Sequence, residues 1–303
     1  MKKYLSPILC LFAAMIWGFA FTAQKESAAL SAFTVGAVRN IFACLFLLCI
    51  IPVFDKLKAK NSEKRKSFFT KYELIGGAIC GIILTVASAF QQTGLGEGTD
   101  AGKAAFITAL YVVIVPIISS LFGKRTSLQV WLSVALAAVG FYLLCIKGDF
   151  TLAPSDALVL VCALIFALHI IAIDRFSPLS DGIRMSCVQF GVGFILNSAL
   201  ALIIEGVPES AVLSEALPSL LYLGIFSSGI AYTLQIVAQK DTHPTAASII
   251  LSLESVFGVI GGAIFLGEAM SPREYLGCAV VLAAVLLSQI DVKALLKSAR
   301  KSK

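Results

Sequence analysis

The feature that most constrains this chain of 303 residues is a series of long apolar runs separated by short polar loops. A bilayer core about 30 Å thick requires roughly 20 apolar residues in a helix, and we find ten runs of about that length. Only 14% of the residues are charged, and the mean hydropathy is +0.92. This composition excludes a water-soluble enzyme, a disordered chain, a collagen-like chain and a small disulfide scaffold.

The ten predicted helices divide equally between the two halves of the chain. Their limits are 5–23, 32–54, 74–93, 102–122 and 128–146 in the first half, and 153–173, 183–204, 217–238, 246–266 and 275–290 in the second. The first run follows Lys2 and Lys3 as in a signal peptide, but no A-x-A cleavage site follows it, so we interpret it as a membrane span. The sequence therefore predicts an all-α integral membrane protein.

The distribution of Lys and Arg predicts the orientation, because basic residues in short loops remain cytoplasmic. When the loops are assigned alternately to the two faces, one face carries nineteen basic residues and the other carries four. Both termini fall on the basic face, so we expect both to be cytoplasmic. The basic clusters, such as residues 56–71, favour contact with anionic membrane lipids. They lie between apolar runs, without the interleaved aromatic residues of a nucleic-acid-binding helix, so no nucleic acid partner is expected.

Comparison of the chain with itself indicates an internal repeat. At an offset of 144 residues, 122–127 aligns with 266–271, and Phe90-Gln91 aligns with Leu234-Gln235. Each copy carries five predicted spans, and an odd number places the second copy in the opposite orientation. We therefore predict two inverted repeats, residues 1–147 and 153–291, followed by a basic cytoplasmic tail, 292–303. Inverted repeats are typical of secondary transporters, whose substrate site lies near the midplane.

Several segments resemble the drug/metabolite transporter superfamily, and within it the EamA-type family of ten-span carriers. Residues 99–116 and 121–125 are similar to the fourth span of that family and the loop after it. Trp17-Gly18, Arg39, 253–256 and 266–268 are also similar to its motifs, although Ser255 stands where a proline is usual. The resemblance covers nearly the whole chain. It implies export or exchange of small metabolites, often amino acids, by a multi-pass protein of the plasma or inner membrane.

Two ionisable residues lie near the middle of predicted spans, where a charge costs about 2.5 to 3.5 kcal/mol on insertion scales. They are Arg39 and Glu254. One interpretation is that each binds a charged substrate group or a proton during transport, and the other is a permanent interhelical salt bridge. Glu254, Gly258 and Gly261 follow one another at i, i+4 and i+7, which leaves one helix face open for close approach of a neighbour.

Polar and aromatic residues inside the apolar runs complete the candidate substrate site. A lipid-facing glutamine is costly, so Gln91 and Gln235 are expected to face a cavity or a neighbouring helix. Interhelical packing is the alternative for all of these residues. Lys103 and His169 are expected instead to make structural contacts, with a loop carboxylate and with another helix. The predicted substrate-binding residues are Trp17, Arg39, Gln91, Tyr111, Tyr232, Gln235 and Glu254.

The motifs of other functional classes are missing from the sequence. The chain has two histidines, its eight cysteines form no C-x-x-C, and it contains no P-loop, H-E-x-x-H or G-x-S-x-G motif. No catalytic residue, cofactor or metal is therefore expected. We predict a secondary carrier that works by alternating access and is driven by protons or a counter-solute. The alternative is an integral membrane enzyme or receptor that acts on a lipid-soluble ligand, and assembly into a homodimer stays open.

Overall fold

A computed structural model of the protein describes residues 2–58, 67–121, 128–145, 152–242 and 244–289. The predicted tail, 292–303, and most of the basic segment 56–71 lie outside the described residues. The described residues form thirteen α-helices and no β-strand. In the first half these are α1 (Lys2–Glu26), α2 (Ala32–Lys58), α3 (Lys71–Gly96), α4 (Ala101–Thr108), α5 (Tyr111–Leu121) and α6 (Leu128–Cys145).

The second half continues with seven helices and two π-helical stretches. The helices are α7 (Pro154–Phe176), α8 (Gly182–Leu200), α9 (Ser210–Leu221), α10 (Thr233–Gln239), α11 (Pro244–Leu251), α12 (Glu254–Phe265) and α13 (Pro272–Gln289). A 3₁₀ turn, Ser177–Leu179, follows α7, and the π-helix Ala201–Glu205 extends α8. The π-helix Tyr222–Tyr232 joins α9 to α10. The predicted eighth span is therefore one continuous helix whose central turns are π-helical.

Eight helical stretches of the described residues are long and apolar enough to cross a membrane. Two further helices of 18 residues, α6 and α13, pack against each other, and the Gln129 side-chain amide donates a hydrogen bond to the Leu287 carbonyl. Large apolar side chains such as Leu45, Ile82 and Ile203 point out of the bundle. Such an apolar outer surface suits contact with lipid acyl chains.

The fourth and ninth predicted spans, 102–122 and 246–266, are present as Ala101–Leu121 and Pro244–Phe265, and each is interrupted by a short turn near its middle. Ala109–Leu110 separates α4 from α5, and Ser252–Leu253 separates α11 from α12. Neither break contains glycine or proline. At each break the backbone hydrogen bonds shorten to the i to i+3 pattern of a 3₁₀ turn.

The two breaks have the same hydrogen-bond pattern at corresponding positions of the two halves. Three backbone N–H groups at the first break (those of Leu110, Val112 and Val113) donate to the carbonyls three residues earlier. The residues 143 positions further on, Leu253, Ser255 and Val256, do the same at the second break. Tyr111 and Glu254 are each the first residue of the half-helix that follows.

Close helix packing holds the second break beside α1 and α4. A Cβ atom at Gly258 would lie 2.4 Å from Cβ of Ala105, and one at Gly261 would lie 2.7 Å from Oγ1 of Thr22. Small residues permit such close approach of helices, and a larger side chain at these two positions would collide with the neighbouring helix. The predicted open face of the ninth span is therefore confirmed, and it places Glu254 in the centre of the bundle.

Candidate functional site

The centre of the bundle contains a narrow cavity of about 30 Å³. Side chains from both halves of the chain form its wall. All seven residues of the predicted substrate site line this one cavity: Trp17, Arg39, Gln91, Tyr111, Tyr232, Gln235 and Glu254. The wall also contains residues that sequence analysis did not select: Ala20, Phe21, Gln24, Thr108, Phe166, Ile170, Ser227 and Leu251.

Arg39 forms a cluster with two serines of the π-helix, which we call the Arg39 cluster (Arg39, Ser227 and Ser228). Its Nε donates to Oγ of Ser228 at 3.0 Å, and Nη2 donates to Oγ of Ser227 at 3.2 Å. The side chain is only 6% exposed. Among the described residues no carboxylate lies within 4.0 Å of its guanidinium group. In the part of the chain that the structure describes, neutral hydroxyl groups thus hold this buried positive charge without a counter-ion.

Glu254 and Tyr111 form a second cluster, the Glu254 cluster, where the two half-helices begin. The two side chains are neighbours and are 4% and 3% exposed. The Tyr111 hydroxyl faces the Glu254 carboxyl group as its hydrogen-bonding neighbour, but within the part of the chain that the structure describes neither that hydroxyl nor Oε1 of Glu254 makes a well-aligned hydrogen bond within 3.5 Å. Glu254 lies in the first turn of α12, where the helix dipole stabilises a negative charge.

The two clusters are not joined by a salt bridge. No nitrogen of Arg39 lies within 4.0 Å of a Glu254 oxygen, since the ion pairs among the described residues involve other side chains. The interpretation of these residues as a permanent interhelical salt bridge is therefore wrong. Among the described residues, neither Arg39 nor Glu254 therefore has an ionic partner in the cavity wall.

Trp17 and Tyr232 form an aromatic wall beside the Arg39 cluster. Their ring centroids are 4.6 Å apart, and Nε1 of Trp17 donates to the Ser227 carbonyl at 3.1 Å. Tyr232 also contacts the His169 and Phe190 rings edge to face, both at 5.7 Å. These contacts hold the two rings in a defined orientation while one side of each ring borders the cavity.

The two repeat-related glutamines have different surroundings. The amide of Gln24 donates to Oε1 of Gln91 at 2.9 Å, and the amide of Gln91 donates to Oγ1 of Thr108 at 3.0 Å. This chain, the Gln91 bridge, links α1, α3 and α4. Among the described residues, Oε1 of Gln235 has no partner.

Lys103 and His169 lie outside the cavity wall. Lys103 pairs with Asp156 in the first turn of α7 at 2.6 Å, so the expectation of a loop carboxylate as its partner is wrong. His169 on α7 contacts Oε1 of Gln189 on α8 through Nε2 at 3.0 Å, which confirms the predicted contact with another helix.

Sequence reasoning missed three polar residues of the wall: Gln24, Thr108 and Ser227. The signal for Ser227 was its neighbour Ser228, because two consecutive hydroxyls in an apolar run match a guanidinium group with several N–H donors. Gln24 was placed just beyond the predicted first span, 5–23, whereas α1 extends to Glu26. Helix ends are the least certain part of a sequence-based assignment.

Comparison with known proteins supports the membrane-transporter interpretation. The model of the EamA-like transporter family matches residues 5–146 and again 153–289. A protein of Archaeoglobus fulgidus named an uncharacterized transporter is 31% identical over 293 residues, which are 96% of this chain and 88% of that protein. The uncharacterized inner membrane transporter YedA of Escherichia coli K12 is 25% identical over 71% of this chain and 70% of its own length.

A solved crystal structure shares the fold, with a TM-score of 0.68 at 18% identity, over 96% of this chain and 98% of that one. Together with the eight apolar helices, these relatives show a multi-pass protein of the plasma or inner membrane. Because the family model matches both halves, the chain belongs to the EamA-like transporter family.

Proposed function

We propose that the protein is a secondary transporter that exports or exchanges small metabolites such as amino acids. In this proposal ten spans form two inverted repeats, 1–147 and 153–291, with both termini in the cytoplasm. The observation that carries it is the pair of matching helix breaks beside the cavity, since broken helices at the midplane form the substrate sites of many carriers. The family model that matches each half separately supports the same division.

The cavity supports a binding role for the seven predicted residues. Backbone without regular helical hydrogen bonding is tolerated at membrane depth only where it is buried in protein or lines a cavity. Both breaks meet this condition at Tyr111 and Glu254. Arg39 and Glu254 supply charge, Trp17 and Tyr232 supply an aromatic surface, and Gln91 and Gln235 supply amide groups.

Alternating access requires one end of the bundle to be closed while the other opens. The charge distribution predicts which end of the bundle is extracellular. Hydrogen bonds between helices near that end favour a cavity that is closed on the extracellular side. In addition to the Gln91 bridge, Nζ of Lys25 donates to the Leu95 and Thr99 carbonyls, and Glu268 accepts from the first N–H groups of α4. In this proposal these bonds break as the half-helices move and the opposite end closes.

Transport into or out of proteoliposomes tests the function. Vesicles that contain the protein are loaded with amino acids and common metabolites, with and without an imposed pH gradient, and both compartments are analysed by mass spectrometry. We expect one chemical class to be depleted from the lumen, at a rate that depends on the gradient or on an external solute. Conversion of a compound without a change in its ratio across the bilayer would indicate a membrane enzyme, and retention of all compounds would contradict transport of these classes.

A further inference from the structure

We propose that an open groove on the outer side of α1 binds a membrane phospholipid with a primary-amine headgroup, whose ammonium group pairs with Glu26. The groove lies between α1, α9 and the end of α12, and its volume is about 450 Å³. The proposal does not depend on the transport function. It concerns a different part of the molecule from the central cavity and from the basic segment 56–71, for which contact with anionic lipids is predicted.

The first step in the argument is the position of the groove in the membrane. Helix α1 borders it with residues at i, i+3, i+4 and i+7, which share one helix face: Phe19, Thr22, Ala23 and Glu26. The helix rises about 10 Å from Phe19 to Glu26, and one leaflet contributes about 15 Å to the hydrocarbon core. Both α1 and the span that contains α9 are apolar enough to cross a membrane. The groove therefore opens towards lipid, and its length suits the upper carbons of an acyl chain.

The second step is the apolar lining of the groove below Glu26. The ring of Phe265 is 63% exposed and meets the ring of Phe19 edge to face, with 6.3 Å between the centroids. The Tyr222 hydroxyl donates to the Ile16 carbonyl at 2.9 Å, so the polar group of this tyrosine is satisfied and its ring remains as an apolar surface. Contact with acyl chains removes such surfaces from water. The lining thus favours the apolar part of a lipid.

The third step is the charge at the mouth of the groove. Oε2 of Glu26 accepts a hydrogen bond from Oγ of Ser219 at 2.6 Å, and no cation pairs with Glu26 among the residues that the structure describes. Lys25 is next to it in sequence, but Nζ of Lys25 donates to two backbone carbonyls near the end of α3. Glu215 lies one helical turn before Ser219 and adds a second exposed carboxylate at this end. The mouth is therefore negatively charged, and the second oxygen of Glu26 is available to a ligand.

The fourth step compares three lipid headgroups with this mouth. Phosphatidylethanolamine carries a primary ammonium group, which can donate a charge-assisted hydrogen bond to a carboxylate oxygen. Phosphatidylcholine carries a positive charge but no N–H donor, and phosphatidylglycerol carries a negative charge without a cation. Of the three, phosphatidylethanolamine meets both the charge and the hydrogen-bonding requirement of Glu26.

Photocrosslinking tests the site on the full-length protein in phosphatidylcholine vesicles. Three probes have the same diazirine on the upper part of one acyl chain and differ in headgroup: phosphatidylethanolamine, phosphatidylcholine and phosphatidylglycerol. Mass spectrometry of the irradiated protein gives the ratio of labelling in the groove, at Phe19, Tyr222 and Phe265, to labelling elsewhere on the outer surface. We expect this ratio to be about fivefold higher for the phosphatidylethanolamine probe than for the other two. Equal ratios for the three probes would overturn the headgroup assignment.

Variants of Glu26 then test the pairing itself. Glu26→Gln should remove the preference for phosphatidylethanolamine, and Glu26→Lys should reverse it in favour of phosphatidylglycerol. A labelling ratio within one sample does not depend on how much variant protein folds. Glu97→Gln is the matched control, because Glu97 is an exposed carboxylate at the same predicted end but outside the groove, and it should leave the ratios unchanged.

Two results would overturn the proposal. In one, Glu26→Lys keeps the preference for phosphatidylethanolamine, so Glu26 does not bind the headgroup. In the other, the groove residues stay unlabelled by all three probes, so no lipid occupies the groove. A dimeric protein in that second case would identify another copy of this chain as the occupant.

Discussion

Gln91 and Gln235 occupy corresponding positions in the two halves of the chain, yet they are bonded differently. Gln91 lies in a bridge between Gln24 and Thr108, whereas the side-chain oxygen of Gln235 has no partner among the described residues. At the offset of 143 residues that aligns the two breaks, Thr108 corresponds to Leu251, and the hydroxyl of the next residue, Ser252, donates to the Ile249 carbonyl. The comparison teaches that the two repeats differ at equivalent positions. The glutamine of the first repeat is hydrogen-bonded to neighbouring helices, whereas the side-chain oxygen of the glutamine in the second repeat has no such bond in the described residues.

The sequence accounts for part of this difference. An offset of 149 residues aligns residues 14–17 of the first span with 163–166 of the sixth, and at this offset Ile173 stands where the first half has Gln24. The second half therefore lacks the residue that would complete a three-member bridge. Lys103 likewise corresponds to Ala246 at the 143-residue offset, so the second half has no lysine there to form such an ion pair. We infer that the two ends of the bundle differ in the stability of their closed forms.

The largest expected effect comes from breaking the Lys103–Asp156 ion pair. Lys103→Met leaves a buried carboxylate uncompensated, and we expect the free energy of unfolding to fall by about 3–5 kcal/mol. The double variant Lys103→Met/Asp156→Asn should recover most of this loss, because Thr99 still donates to the remaining side-chain oxygen. Thermal melting of the purified proteins measures both. Equal destabilisation in the single and double variants would show that the pair contributes little.

A second prediction concerns the half-helices themselves. Gly258 of α12 corresponds to Val115 of α5. Of these two half-helices, α12 is therefore the one that depends on a glycine for close packing against a neighbouring helix. Gly258→Ala places a methyl group against Ala105, and we expect a loss of about 1–3 kcal/mol in the free energy of unfolding. Gly191→Ala is the control, since its new Cβ would meet only Sγ of Cys44 at 3.7 Å. A similar melting temperature for both variants would contradict the packing argument.

The third prediction breaks the Gln91 bridge. Gln91→Leu leaves the polar groups of Gln24 and Thr108 unpaired. This costs about 1–3 kcal/mol, which corresponds to a rise of roughly fivefold or more in the open fraction at that end. A cysteine introduced at Ala20, in the cavity wall, should then react faster with a membrane-impermeant maleimide applied from the predicted extracellular side. The same cysteine in an otherwise unchanged chain gives the background. An unchanged rate would mean that the bridge does not hold this end closed.

The smallest effect is expected for Gln235→Leu. Because its side-chain oxygen has no partner, an apolar replacement should change the free energy of unfolding by less than about 1 kcal/mol. Exchange should nevertheless slow if Gln235 bonds to Ser252 when the opposite end closes. The melting temperature and the exchange rate, measured beside those of Gln91→Leu, sharpen the comparison. Destabilisation as large as that of Gln91→Leu would remove the proposed asymmetry.

Much of the helical framework could be predicted because helix formation and membrane insertion depend on local composition. Helix α7 begins at Pro154 and α13 at Pro272, each within three residues of its predicted start. The breaks in the fourth and ninth spans could not be predicted in this way. Ala109–Leu110 and Ser252–Leu253 are ordinary helix formers or neutral residues, and the 3₁₀ turns are stable only because neighbouring helices surround them.

The sequence alone determined that this chain crosses a membrane several times, and it identified seven side chains that line one cavity. Both results have the same physical reason, since polar and ionisable groups avoid lipid and must face the interior of the bundle. Only the tertiary structure decided which of these groups meet. Whether Arg39 contacts Glu254 or Ser227 and Ser228 depends on the π-helix and on the break before α12, and these arise from packing between helices distant in sequence.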